Sequence, residues 1–113
     1  MKIDARRVSD VLIIDMIGNR LDSLAAGAME SCILDTVQDE DRRVVLNLER
    51  LAYISSAGLR VILRVGRLLQ ANRGELKICN ARGLVRDVLE TSGFHSLIKM
   101  YDTEKEAFAA FLV

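Results

Sequence analysis

The sequence predicts an α/β fold: a small mixed sheet of about five strands, opened by an antiparallel hairpin, with about four helices packed on it. Short β-branched runs alternate along the chain with segments of helical period. Strands separated by helices imply parallel crossovers, whereas the first two are joined only by the turn Ser9-Asp10. Half of the 113 residues are hydrophobic, enough for one core, and no proline, Gly/Ser-rich linker or repeat divides them. Residues 1–113 are therefore read as a single domain.

The elements follow in chain order. "KIDARRV" is a modest strand, and "VLIIDMI" a stronger one ended by Gly18. "NRLDS" offers Asp22 or Ser23 as a helix N-cap. Ala25, Ala28, Met29, Cys32, Ile33 and Val37 then recur at helical spacing. The acidic run Asp39, Glu40, Asp41 reads as a solvated loop. "RVVLNL" is nearly continuous in apolar character, which predicts a strand buried on both faces. A helix spans about 57–71, with Leu59, Ile62, Leu63, Gly66 and Leu69 on one face and Asn72 and Gly74 closing it. "ELKIC" is a strand. Leu84, Val85, Val88 and Leu89 mark a short helix stopped at Gly93, a left-handed cap. "LIKMY" is the last strand, and Thr103 with Glu106 forms a capping box that opens a final helix over 104–112.

Composition narrows the function. The chain carries 16 basic and 16 acidic side chains, without the basic excess of a nucleic-acid binder. Its apolar runs fall far short of the roughly 20 residues that span a bilayer, so no membrane partner is expected. Cys32 and Cys79 lie in apolar segments and read as buried small hydrophobes; with no CxxC pair, a metal site is not expected. The start of the chain has no apolar leader pattern, which points to the cytoplasm. No glycine-rich loop follows a strand, so no nucleotide cofactor is expected.

The stretch "YISSAGLR", residues 53–60, places two serines at a strand-to-helix junction. A catalytic serine needs a base in reach, and the single histidine, His95, sits in the distant segment "SGFHSL" without the G-x-S-x-G elbow around either serine. No catalytic residue is therefore assigned. Two readings remain compatible. One serine caps the helix by accepting from its orphan N–H groups. The same N-terminus, with its positive dipole end, favours an added phosphate, whose nearly two negative charges can switch a protein contact. Ser56, Arg60, Arg64 and Arg67 follow at spacings of four, four and three, and so share a stripe. Arg60 could partner a phosphate, whereas Arg64 and Arg67 read equally well as a solvated face.

"VVLNLERLAYISSAGLRVIL" resembles the signature of the STAS domain of bacterial anti-sigma factor antagonists, an apolar strand and loop followed by Asp-Ser-Ser/Thr-Gly-Leu opening a helix. "GNRLDSLAA" resembles the family's G-x-(L/I)-D segment, and "ARGLVRDVLETSGFHSLIKMYDTEKEAF" its tail, so the likeness covers nearly the whole chain. The resemblance implies a partner switch. The unmodified antagonist binds an anti-sigma factor that is also a GHKL-type serine kinase. The kinase phosphorylates the antagonist at the helix start and so releases it, and a PPM-type phosphatase reverses the mark. Carried over, the phosphorylated serine falls on Ser56, with Ser55 the second choice; Gly58 and Leu59 match directly. Ser55 stands where the family has Asp, which removes a negative charge beside the phosphate and adds a competing hydroxyl, and Ala57 stands where it has Ser or Thr. The expected docking surface comprises residues 49–56, the Asp22–Ser23 turn and the exposed side of the helix, with Tyr53, Ser55, Ser56, Arg60 and Arg64 meeting the partner. The alternative is a STAS scaffold or ligand-sensing module that is not phosphorylated.

Overall fold

The computed structural model describes residues 2–112. Its strands are β1 (Lys2–Val8), β2 (Val11–Ile17), β3 (Arg20–Leu21), β4 (Arg43–Asn47), β5 (Tyr53–Ile54), β6 (Glu75–Cys79) and β7 (Lys99–Tyr101). Its helices are α1 (Ser23–Thr36), α2 (Ser56–Ala71), α3 (Gly83–Thr91) and α4 (Glu104–Phe111), and one 3-10 turn, Phe94–Ser96, precedes β7. Five strands form the main sheet in the order β1-β2-β4-β6-β7. Only β1 runs antiparallel to its neighbour; β2, β4, β6 and β7 pair in parallel. The expected mixed sheet with its opening hairpin and four helices is the fold observed.

Alternation along the strands sorts the core into two layers. Leu12, Ile14, Met16, Val44, Leu46, Leu76 and Ile78 meet Met29 and Ile33 of α1, Ile62, Val65 and Leu69 of α2, and Val85 and Leu89 of α3. Val11, Ile13, Val45 and Cys79 face the other way, against Ala107 and Phe111 of α4. The two-sided burial expected of β4 follows from this arrangement. Lys77 points to the α4 side and is 3% exposed. Its ammonium bonds Glu75 Oε2 at 3.0 Å and lies 4.7 Å from the centre of the Phe111 ring, so a charge inside the sheet is paired and covered by an aromatic face.

The structure corrects four local expectations. First, β3 and β5 are an additional two-stranded parallel ladder inside segments expected to be irregular. Two residues are too few to show a period, but the chain leaves the ends of the neighbouring strands β2 and β4 in the same direction, so the following segments run side by side. Second, Asp41 is no solvated loop residue: it is 6% exposed and takes a bidentate pair from Arg7, at 3.0 and 2.6 Å. Third, Cys32 is half-buried, whereas Cys79 is buried as expected. Fourth, α1 buries Ala26 and exposes Ala28, and α2 adds Val61 and Val65 to its inner stripe. The α1 segment "SLAAGAM" is small or apolar on nearly every side, so its period could not discriminate.

Candidate functional site

The site is built on the β3–β5 ladder. Leu21 pairs with Ile54, so the residues that follow, Asp22 and Ser55, open α1 and α2 side by side. Asp22 is the N-cap of α1: its Oδ1 accepts from the N–H groups of Leu24 and Ala25 at 3.1 and 3.0 Å. A short side-chain acceptor in extended backbone satisfies donors the first helical turn leaves unpaired.

Ser55 performs the same task for α2. Its Oγ accepts the Gly58 N–H at 3.2 Å and donates to the Leu21 carbonyl at 3.3 Å. Its own N–H donates to the same carbonyl at 2.9 Å. Of the two serines, Ser55 is thus the cap, and its hydroxyl is engaged on both sides. Ser56 is the first residue of the helix and is exposed. Among the described residues its hydroxyl has no protein partner, and neither do the N–H groups of Ser56 and Ala57. The helix begins one residue before the expected start, because the cap sits at Ser55.

Gly58 explains why the junction needs a glycine. A Cβ there would lie 2.6 Å from the Leu21 carbonyl oxygen and 2.8 Å from Leu21 Cγ. Its absence lets α2 start directly against β3, which brings Asp22 and Ser56 to one edge of the molecule. Leu59 is half-buried against the core, and Ala57 is half-exposed.

The loop between β4 and β5 is anchored rather than free. The Asn19 carbonyl accepts from Ala52 and Tyr53 N–H at 2.8 and 3.0 Å, and Asn47 Oδ1 accepts from the Glu49 N–H at 3.0 Å. Leu51 and Ile54 point into the core while Glu49, Arg50 and Ala52 are exposed. Tyr53 carries the Arg20 guanidinium over its ring at 4.3 Å, and Arg20 also lies 3.8 Å from Asp22.

Arg20, Asp22, Ser23, Tyr53, Ser55 and Ser56 are thereby gathered on adjoining elements. The arginine stripe is less uniform than its spacing suggested. Arg60 is exposed and forms no ion pair among the described residues. Arg64 pairs with Glu30 of α1, at 2.5 and 3.2 Å, and clamps the two helices. Sequence reasoning missed two features beside the serines: the Arg20–Tyr53 stack, which depends on the short ladder, and Leu24, whose side chain stands out at 92% exposure. An apolar residue in the first turn after the Asp22 cap is the available signal. His95 lines a separate cavity of about 280 Å³ with Arg86, Glu90, Tyr101 and Asp102, and neither serine borders it.

The STAS domain family model matches residues 2–107. BtrV of Bordetella bronchiseptica, an anti-sigma factor antagonist by name, is 40% identical over 111 residues, covering 98% of this chain and 95% of its own. Among solved structures, a STAS domain protein of Planctomyces limnophilus superposes with a TM-score of 0.86 at 20% identity, covering 96% of both chains. The Bacillus cell fate determinant SpoIIAA in its phosphorylated form superposes with a TM-score of 0.71 at 25% identity, covering 96% of this chain and 98% of that one.

Proposed function

The chain belongs to the STAS domain family, and from that premise we propose that it is an anti-sigma factor antagonist-like partner-switch protein of the cytoplasm. Unphosphorylated, it binds a GHKL-type anti-sigma factor that is also a serine kinase. Phosphorylation of Ser56 releases it, and a PPM-type phosphatase restores it. The chain itself does no chemistry; nucleotide and metal belong to its partners.

The division of labour between the serines carries this reading. Ser55 commits its hydroxyl to the cap, while Ser56 offers an exposed hydroxyl that, among the described residues, is free and stands beside unpaired N–H groups. A phosphate on Ser56 would meet the positive end of the α2 dipole, and Arg60 one turn on. Folding is therefore compatible with the mark, and the new charge acts on the partner. A contact surface built around Leu24, Tyr53 and Ser56 would have to desolvate nearly two negative charges, which disfavours the complex. The Asp that the family places before the phosphorylated serine is replaced here by Ser55, whose capping bond supplies the acceptor that the carboxylate would have given to the helix.

Incubation with ATP and a cognate GHKL-type serine kinase tests the reading. Mass spectrometry should find one phosphate, on Ser56. Ser56→Ala should bind that kinase without release, and Ser56→Asp should bind at least tenfold more weakly. Wild-type-like binding of both variants would sink the switch, and lack of any phosphate would favour a non-phosphorylated scaffold.

A further inference from the structure

We infer that β1 is a self-pairing edge: two copies of the chain join antiparallel along it, about a two-fold axis at Ala5, and continue the sheet from one molecule into the next.

The main sheet has two edges, and they differ. β7 is three residues long, whereas β1 is seven residues long and pairs only with β2. Among the described residues the outward backbone groups of β1 bond to no other element. Six of its seven residues are exposed. A long open edge is a template for another strand, and proteins ordinarily blunt it with charge. This edge carries Lys2, Asp4, Arg6 and Arg7, and on the face shared by Lys2, Asp4 and Arg6 the charges alternate in sign.

The register decides whether they repel. A two-fold axis normal to the sheet keeps each side chain on its own face, so paired residue numbers must have an even sum. With the axis at Ala5, all seven residues pair: Lys2 with Val8, Ile3 with Arg7, Asp4 with Arg6, and Ala5 with itself. Asp4 and Arg6 both lie on the face of β1 whose partners on β2 are Asp15 and Ile13. They therefore stand opposite each other twice in the pair, with unlike charges directly across the ladder. Moving the axis to Asp4 sets Asp4 against Asp4 and Lys2 against Arg6. Moving it to Arg6 sets Arg6 against Arg6. The register that uses the whole strand is thus also the one that matches the charges, and the occupant it fits is a second copy of this chain. The Arg6 side chain is 47% exposed; its guanidinium pairs with Glu104 and lies 3.6 Å from Asp15, which together hold it on this face, so a bond to Asp4 of a second copy would share it with Glu104.

Sedimentation equilibrium with charge variants tests the pairing. Wild type should form dimers. Asp4→Arg alone and Arg6→Asp alone each place like charges across both pairs, and should each weaken dimerisation about tenfold. An equimolar mixture of the two variants should restore it. In the mixed dimer the two substituted side chains, of opposite charge, face each other at one pair, and the native Arg6 faces the native Asp4 at the second. Circular dichroism melts establish that each variant is folded. A cross-link gives a readout that does not depend on them. Residues directly opposite in an antiparallel ladder have Cα atoms about 4.5–5.5 Å apart, within disulfide range. On a Cys32→Ala background, Ala5→Cys should oxidise to a linked dimer and Ile3→Cys should not. A wild type that stays monomeric at every concentration overturns the proposal, as does equal cross-linking of the two cysteine variants, or a mixture no more dimeric than its components.

Discussion

At residue scale the question is what each of two adjacent hydroxyls does, and the sequence could narrow it only to a cap and a modifiable serine. Both roles want the same place, since the donors that need a cap also favour a phosphate. One hydrogen-bond set assigns the cap, Ser55 Oγ between the Gly58 N–H and the Leu21 carbonyl, and on that assignment rests the proposal that the mark falls on Ser56. The Leu21 partner comes from a segment 34 residues away, so no local pattern could reveal it. Ser55→Ala should therefore lower stability by about 1 kcal/mol in urea denaturation, yet leave Ser56 a substrate for the kinase. Retained stability with lost phosphorylation would exchange the two roles. The cysteines divide in the same way. Burial pushes the Cys79 thiol up to about 12, so it carries almost no thiolate at neutral pH.

At element scale, the helices and long strands were legible because each buries a face with a period of its own. Thus "VLIIDMI" and "ELKIC" coincide with β2 and β6. The β3–β5 ladder was not, because its pairing is set by where β2 and β4 end and not by its own two-residue segments. The sequence places the helix stop after α2 at Asn72 and Gly74, but the left-handed residue between them is Arg73, at φ 63°. Gly74 is needed for close approach instead: its N–H reaches the Leu69 carbonyl, and a Cβ would lie 2.8 Å from the Arg42 carbonyl oxygen. Gly58 has the same function at the other end of α2. Gly58→Ala should cost about 1–3 kcal/mol, because the atom in its way is backbone and cannot swing aside. Gly27, in the middle of α1, has nothing within 4 Å of its Cβ position. Gly27→Ala should accordingly stabilise by about 0.4–1 kcal/mol. Thermal melts of the two variants should move in opposite directions.

At the scale of the whole molecule, the order of elements could be read along the chain but the contacts that close it could not. Asp41 is the instructive case. As part of an acidic run it looked solvated, yet it fastens the loop before β4 to Arg7 on β1, and its Oδ2 accepts the Gln38 N–H at 2.9 Å. Arg7 also reaches the Thr36 carbonyl at the end of α1, at 3.5 Å. One carboxylate thus joins the sheet edge, the helix end and the loop. The side-chain hydrogen bonds from Arg7, helped by the Gln38 N–H, hold the Asp41 pKa below its ordinary value against the opposing effect of burial. The sign follows. A carboxylate that is more acidic when folded contributes its stability in full above the unfolded pKa, about 3.9. It loses that contribution as pH falls through the lower, folded value. Asp41→Asn should thus be less stable than wild type at neutral pH by about 1–2 kcal/mol, the cost of weakening a part-buried charged pair. That difference should shrink as the pH is taken below about 3.9, because wild type then loses what the variant never had. Urea unfolding of both chains across pH 7 to pH 2 measures it. A gap that stayed constant with pH would mean that the Asp41 charge does not hold the edge strand to the rest of the fold.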